Sequence, residues 1–217
     1  MIIKICGMAD GQSISEIAAL KPAMMGFIFH EPSPRNACDL SPTAVAPVPG
    51  EICRVGVFVD KPVEYMLEVV NRYGLSAVQL HGKESPETCR EMKERGLTVM
   101  KAVGIDRNID NETLRVYEGS VDMFVFDTAG PQHGGTGRKF DWTILRDYSL
   151  ATPFLLSGGI GPEDAPDILK AAAGLPGMAG VDINSRFEIT PGYKSRELVK
   201  SFVDGLQSSS SDKIIIK

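Results

Sequence analysis

The sequence has no apolar run approaching the roughly 18 residues of a membrane span, so no transmembrane helix is expected. It has no Lys/Arg cluster, and its formal net charge is −5. That leaves no basic surface for nucleic acid. The four cysteines, 6, 38, 53 and 89, are widely and unevenly spaced and include no CxxC pair. Neither a zinc site nor a disulfide framework is expected from them, and reduced thiols in the cytoplasm are. There are only three histidines, and no two-His arrangement is evident, so no catalytic metal is expected. The N-terminus enters a strand pattern at once, so no signal peptide is expected. The first such turn, Cys6-Gly7-Met8-Ala9, is not GxGxxG, which argues against a dinucleotide-binding open sheet.

What is present is a regular alternation. With 217 residues, 43% of them hydrophobic, the chain can build one large domain with a sizeable core. Short β-branched or apolar runs bounded by glycine predict strands over 1–5, 24–29, 52–59, 76–80, 97–103, 123–126, 153–156 and 178–181. Between them, helical spacing or capping residues predict helices over 11–20, 63–73, 86–95, 109–117, 140–148 and 162–173. A single turn is predicted near 41–46 and a last helix over 198–206. Pro62 suits a first helical position, and Pro166 sits awkwardly in the first turns of the seventh helix. Eight strands, most followed by a helix or a helix-length connection, imply a parallel sheet. In about 210 residues they fit a single (β/α)8 TIM barrel near its lower size limit. The barrel is expected over 1–207, with 208–217 a flexible tail. The glycine-rich stretch 128–139 is expected to be a functional loop.

In a barrel, strand ends carry the chemistry. Cys6 closes strand one and Asp127 closes strand six, so both belong at one rim. Taken alone, a cysteine at a strand end is usually a small buried hydrophobe. Paired with Asp127 across the barrel, its thiolate can remove a proton while the carboxylic acid donates one. Such a pair suits isomerisation without a cofactor. After strand seven, Ser157-Gly158-Gly159 leads toward a helix start, where backbone N–H groups can hold an anion. After strand eight stand the small residues Asn184 and Ser185. A Gly-Gly pair alone marks only a tight turn; placed after the seventh of eight strands it points to a phosphorylated small molecule. Gln79 and His81 close strand four and are expected to line the pocket. Asp182 is expected to support the rim, and Trp142 to be a packing anchor. Lys101 lies within strand five and is a poor Schiff-base candidate.

Several segments together resemble phosphoribosylanthranilate isomerase. They are Lys4-Ile5-Cys6-Gly7, Gly26-Phe27-Ile28-Phe29 with Ser33-Pro34-Arg35, Val57-Phe58-Val59, and Val78-Gln79-Leu80-His81-Gly82. Phe126-Asp127, Gly134-Gly135-Thr136-Gly137 with Phe140-Asp141-Trp142, Ser157-Gly158-Gly159, and Gly180-Val181-Asp182 with Pro191-Gly192 follow in the same order. The resemblance covers residues 2–205. It implies a cytoplasmic (β/α)8 enzyme of tryptophan biosynthesis, monomeric or homodimeric, which binds a phosphorylated small molecule and uses no cofactor. The implied reaction is the Amadori rearrangement of N-(5-phosphoribosyl)anthranilate to 1-(2-carboxyphenylamino)-1-deoxyribulose 5-phosphate. The resemblance gives Cys6 as general base, Asp127 as general acid, Arg35 as holder of the anthranilate carboxylate, and Gly158, Gly159, Asn184 and Ser185 as holders of phosphate. Met8-Ala9-Asp10 stands where the family often has threonine, and Arg186 where a small residue is common. Competing readings are another phosphosugar isomerase or epimerase on the same barrel, and a non-catalytic phosphate-binding barrel.

Overall fold

A computed structural model describes residues 1–129 and 139–208. The expected strands are β1 (Ile2–Ile5), β2 (Met24–Phe29), β3 (Cys53–Phe58), β4 (Ala77–Leu80), β5 (Thr98–Ile105), β6 (Met123–Thr128), β7 (Phe154–Leu156) and β8 (Met178–Ile183). Each pairs in parallel with its sequence neighbours, and β8 pairs with β1 to close the expected barrel. Around it lie α1 (Gly11–Ala18), α2 (Pro42–Val45), α3 (Val63–Tyr73), α4 (Pro86–Glu94), α5 (Asn111–Arg115), α6 (Ala165–Gly174) and α7 (Arg196–Ser208). Asp10, Ser41, Ser85 and Asp110 accept first-turn N–H groups and fix the starts of four of these helices.

Strand alternation separates two apolar layers. In β6, Met123 and Val125 pack inside the barrel with Val55, Ala77, Met100, Ala102 and Leu155. Phe124 and Phe126 face outward against Tyr148. In β1, Ile3 and Ile5 join the outer layer, so Lys4 and Cys6 fall on the lumen side. Parity therefore aims both Cys6 and Asp127 into the barrel mouth.

The differences from expectation have local causes. β5 reaches Ile105 because it stays paired with β6 up to Thr128. β8 reaches Ile183, paired with Ile5, which takes Asp182 into the strand. The helix expected over 109–117 contracts to α5, capped by Asp110. The helix expected over 140–148 is a 3₁₀ segment, Trp142–Asp147. Tyr148 turns away at φ −68°, ψ 123°, with its ring among Phe124, Phe126 and Phe154. Trp142 packs against the core, as an anchor should. Pro62 stands at the N-cap position of α3, one position earlier than expected, and makes no side-chain capping bond. The seventh helix opens with a 3₁₀ turn, Pro162–Asp164, and Pro166 lies in the first turn of α6, where its missing N–H breaks no bond. An unexpected hairpin follows β8: β9 (Glu188–Thr190) and β10 (Tyr193–Lys194), antiparallel. Gly192, at φ +87°, serves its turn after Pro191. Most of the loop expected over 128–139, and the tail after 208, lie outside the described residues.

Candidate active site

All ten candidate site residues line one cavity of about 550 Å³: Cys6, Arg35, Gln79, His81, Asp127, Gly158, Gly159, Asp182, Asn184 and Ser185. The barrel thus brings together every position singled out from the sequence. Among the described residues, no group of three or more His, Cys, Asp or Glu is arranged to hold a metal ion. None of the four cysteines is disulfide-bonded.

Asp127 is buried at the end of β6. Burial pushes its carboxyl up to about 6 from the ordinary 3.8, against the pull of the Thr128 N–H, which donates to Oδ1 at 2.8 Å. A carboxyl at that level still carries a proton in a useful fraction of molecules near neutral pH. His81 Nε2 stands 3.8 Å from Asp127 Oδ2, and its Nδ1 lies 3.1 Å from Gln79 Nε2. The turn carrying His81 is clamped from behind. Lys101 Nζ donates to the carbonyls of Leu80 and Gly82 at 3.0 and 2.7 Å and to Glu84 at 3.1 Å. Lys101 is therefore a structural clamp, outside the cavity lining.

Cys6 is buried, and burial raises its thiol above the ordinary 9.0, with Lys4 pulling the other way. Lys4 is fully buried one strand alternation below, its Nζ 2.9 Å from Asp182 Oδ1. Burial works against the Lys4 ammonium, but Asp182 and Cys6 outweigh it and hold the charge.

Arg35 is not free in the cavity. Its Nε and Nη2 grip Glu188 in a two-point pair at 2.8–3.0 Å. Glu188 also accepts Lys194 Nζ at 2.7 Å and the Gly192 N–H at 3.1 Å. Burial would raise the Glu188 carboxyl, yet Arg35 and Lys194 together hold it below the usual range. Lys194 is itself fully buried, and burial brings its ammonium down to about 8 despite Glu188. Its Nζ also donates to Asn184 Oδ1 at 2.6 Å, so that amide oxygen is committed to the hairpin. Gly7, at φ +74°, lets these groups converge: a Cβ there would lie 2.6 Å from Asn184 Oδ1 and 2.8 Å from Arg35 Cδ.

After β7, Gly158 and Gly159 adopt φ +87° and +65°. A Cβ on Gly158 would strike Thr128 Oγ1 at 2.3 Å and Asp127 Oδ1 at 2.8 Å. The glycine turn is thus pressed against the Asp127 carboxyl. The helix start beyond it is less direct than expected, because the Gly161 N–H donates to Asp164 and α6 begins only at Ala165. Arg186 turns from the cavity to pair with Glu163 at 2.6 Å.

Lys4, Glu188 and Lys194 were not legible as functional from spacing. Lys4 had one signal, a cation in phase with Cys6 on an otherwise apolar strand. Glu188 and Lys194 had none beyond the Pro191-Gly192 turn.

The chain matches known proteins along nearly all its length. A family model described as N-(5'phosphoribosyl)anthranilate (PRA) isomerase matches residues 3–205. A protein of Parabacteroides distasonis named N-(5'-phosphoribosyl)anthranilate isomerase is 46% identical over 205 residues, covering 94% of this chain and 92% of that one. The crystal structure of phosphoribosyl anthranilate isomerase from Thermus thermophilus superposes with a TM-score of 0.84 at 26% identity, covering 97% of this chain and all of the other. A solved phosphoribosyl anthranilate isomerase in complex with reduced 1-(o-carboxyphenylamino)-1-deoxyribulose 5-phosphate gives a TM-score of 0.71 at 30% identity, over 96% of this chain and all of that one. Matched by that family model over residues 3–205 and 46% identical to a relative along nearly its whole length, the chain belongs to the N-(5'-phosphoribosyl)anthranilate isomerase family.

Proposed function

We propose that Cys6 is the base and Asp127 the acid in the reaction this isomerase of tryptophan biosynthesis performs, N-(5'-phosphoribosyl)anthranilate to 1-(2-carboxyphenylamino)-1-deoxyribulose 5-phosphate. The observation that carries the assignment is the pairing of a buried thiol with a carboxyl raised to about 6, both on one cavity. Asp127 gives its proton to the ring oxygen of the ribose, and the C1–O bond breaks. The nitrogen lone pair fills the gap and leaves an iminium ion. That cation acidifies the C2 proton, which the Cys6 thiolate removes, and the electron pair forms the C1–C2 double bond of an enolamine. Tautomerisation then gives the C2 ketone. Only protons and internal electron pairs move, so acid–base groups suffice and no cofactor is needed.

Arg35 is held by Glu188 in an orientation from which it faces the anthranilate carboxylate. The backbone of Gly158 and Gly159, with the Asn184-Ser185 turn, holds the phosphate. The analogue named in the solved relative carries both a carboxyl and a phosphate, the two groups this division assigns. Gln79, His81 and Asp182 line the same cavity. The catalytic unit occupies residues 1–207, its partner is this small phosphorylated molecule, and the cytoplasm is its place of action. Among the described residues, no helix is long and apolar enough to cross a membrane.

The test is steady-state kinetics, followed by loss of substrate fluorescence, on Cys6→Ala, Cys6→Ser and Asp127→Asn, with folding checked by circular dichroism. Each should lower kcat by at least about 10²–10⁴-fold with little change in KM. Near wild-type kcat in folded Cys6→Ala returns Cys6 to a packing role and refutes the assignment.

A further inference from the structure

A buried thiol does not ionise unaided, and the cavity holds two carboxylates, Asp127 and Asp182, that oppose its ionisation. Something must favour the thiolate if Cys6 is to accept a proton. The groups facing Cys6 come from several elements. Lys4 stands below it on β1 and Asp182 beside it on β8. Lys194 approaches from β10, while Asp127 on β6, His81 after β4 and Arg35 after β2 line the rest of the cavity. Lys194 spends its charge on Glu188 and Asn184. Lys4 is different. It is fully buried, its ammonium has three protons to place, and Asp182 takes one at 2.9 Å. The Cys6 thiol lies within reach of its charge, which pulls toward the thiolate.

The neighbouring strand leaves the space that lets the two groups stand near one another. Gly26 on β2 faces both groups: a Cβ there would lie 2.8 Å from Cys6 Sγ and 3.3 Å from Lys4 Nζ. Any other residue would push a side chain against the thiol and the ammonium together. The geometry is a relay of alternating charge, Asp182 carboxylate to Lys4 ammonium to Cys6 sulfur, set across the β1–β8 pairing in which Lys4 and Asp182 are register partners.

We infer that Lys4 is the positioning cation of the base: anchored by Asp182, it stabilises the Cys6 thiolate and so drives the proton shared by the catalytic pair toward Asp127. The inference rests on Cys6 acting as the base. Asp182 has two opposed effects. It orients Lys4, and it also tempers the charge that Lys4 presents to the sulfur.

The experiment titrates Cys6 directly in the substrate-free enzyme. Iodoacetamide alkylation is timed across a pH series, and mass spectrometry reads the Cys6 peptide separately from those of the other three cysteines. Lys4→Met should move the alkylation midpoint up by about one pH unit or more, slowing Cys6 alkylation about tenfold below the midpoint. Asp182→Asn should move it down. Should Lys4→Met fail to fold, Lys4→Met with Asp182→Asn removes both charges at once, and its midpoint should lie above that of Asp182→Asn alone. A midpoint that stays put in folded Lys4→Met, or is equal in the single and double variants, overturns the inference, even where kcat falls. Failure of the base assignment is a separate result, an active Cys6→Ala.

Discussion

Replacing Asp127 by asparagine should lower kcat by at least about 10²–10⁴-fold and at the same time stabilise the fold, in a manner that depends on pH. Asparagine keeps the shape and the oxygen that accepts the Thr128 N–H, so the substitution removes charge and little else. The folded chain binds the Asp127 proton more tightly than the unfolded chain does, about 6 against 3.8. The benefit of that proton is therefore full at low pH and is lost as pH rises through about 6. Above that, the folded protein carries a buried carboxylate that the unfolded chain leaves in water. The gap corresponds to about 3 kcal/mol. Asparagine never incurs this cost, so it should gain up to about 3 kcal/mol over wild type at pH 8, or about 6–12 °C in Tm for a chain of this size. Below pH 4 the two proteins should converge. The assay is urea and thermal unfolding of both proteins across this range, read as the difference between them, so that other titrating groups cancel. Parallel stability curves, or an asparagine variant weaker than wild type at pH 8, would show that burial does not strain Asp127, and the acid would lose its physical basis.

Three further outcomes follow from the same site. Because Cys6 titrates above 9.0 and Asp127 near 6, the pair carries one proton over the whole interval between them. kcat/KM should accordingly rise through about pH 6 and stay high; a fall centred near 6 would mean that Asp127 acts alone. Arg35→Lys cannot grip both Glu188 oxygens or a carboxylate at two points. It should raise KM about tenfold or more while leaving inhibition by inorganic phosphate unchanged, and equal weakening of both would assign Arg35 to the phosphate or the hairpin. Gly159→Asp adds a repelling charge at a residue with φ +65° and should raise KM steeply in a folded protein; an unchanged KM would move the phosphate elsewhere.

The barrel was legible because its signals are local and repeated. Eight β-branched runs, with prolines and glycines between them, need no long-range information to be counted. Strand ends placed Cys6 and Asp127 at one rim before any contact was known. What stayed hidden was set by tertiary contact. The 3₁₀ segment at Trp142–Asp147 depends on where the Tyr148 ring finds its aromatic partners. The hairpin strands of three and two residues are too short for a period to register. Glu188 and Lys194 look like ordinary surface charges in the sequence, and only the fold buries them against Arg35 and Asn184. The resemblance likewise gave Arg35 without its carboxylate partner, which lies 153 positions away.

The Lys4–Asp182 bond joins residues 178 positions apart, across the seam where the first and last barrel strands meet. During synthesis β1 emerges early, and Cys6 with it, while Asp182 and the hairpin that bears Glu188 arrive after most of the chain has been made. Until the ring shuts, Cys6 is an ordinary cysteine with an unanchored lysine nearby, and Arg35 has nothing to hold it. Activity is therefore a report on ring closure. An open intermediate with seven strands in place would show nearly native secondary structure and no turnover. In refolding, the return of activity should coincide with the docking of β8 on β1, the slowest contact to find because it spans the longest loop.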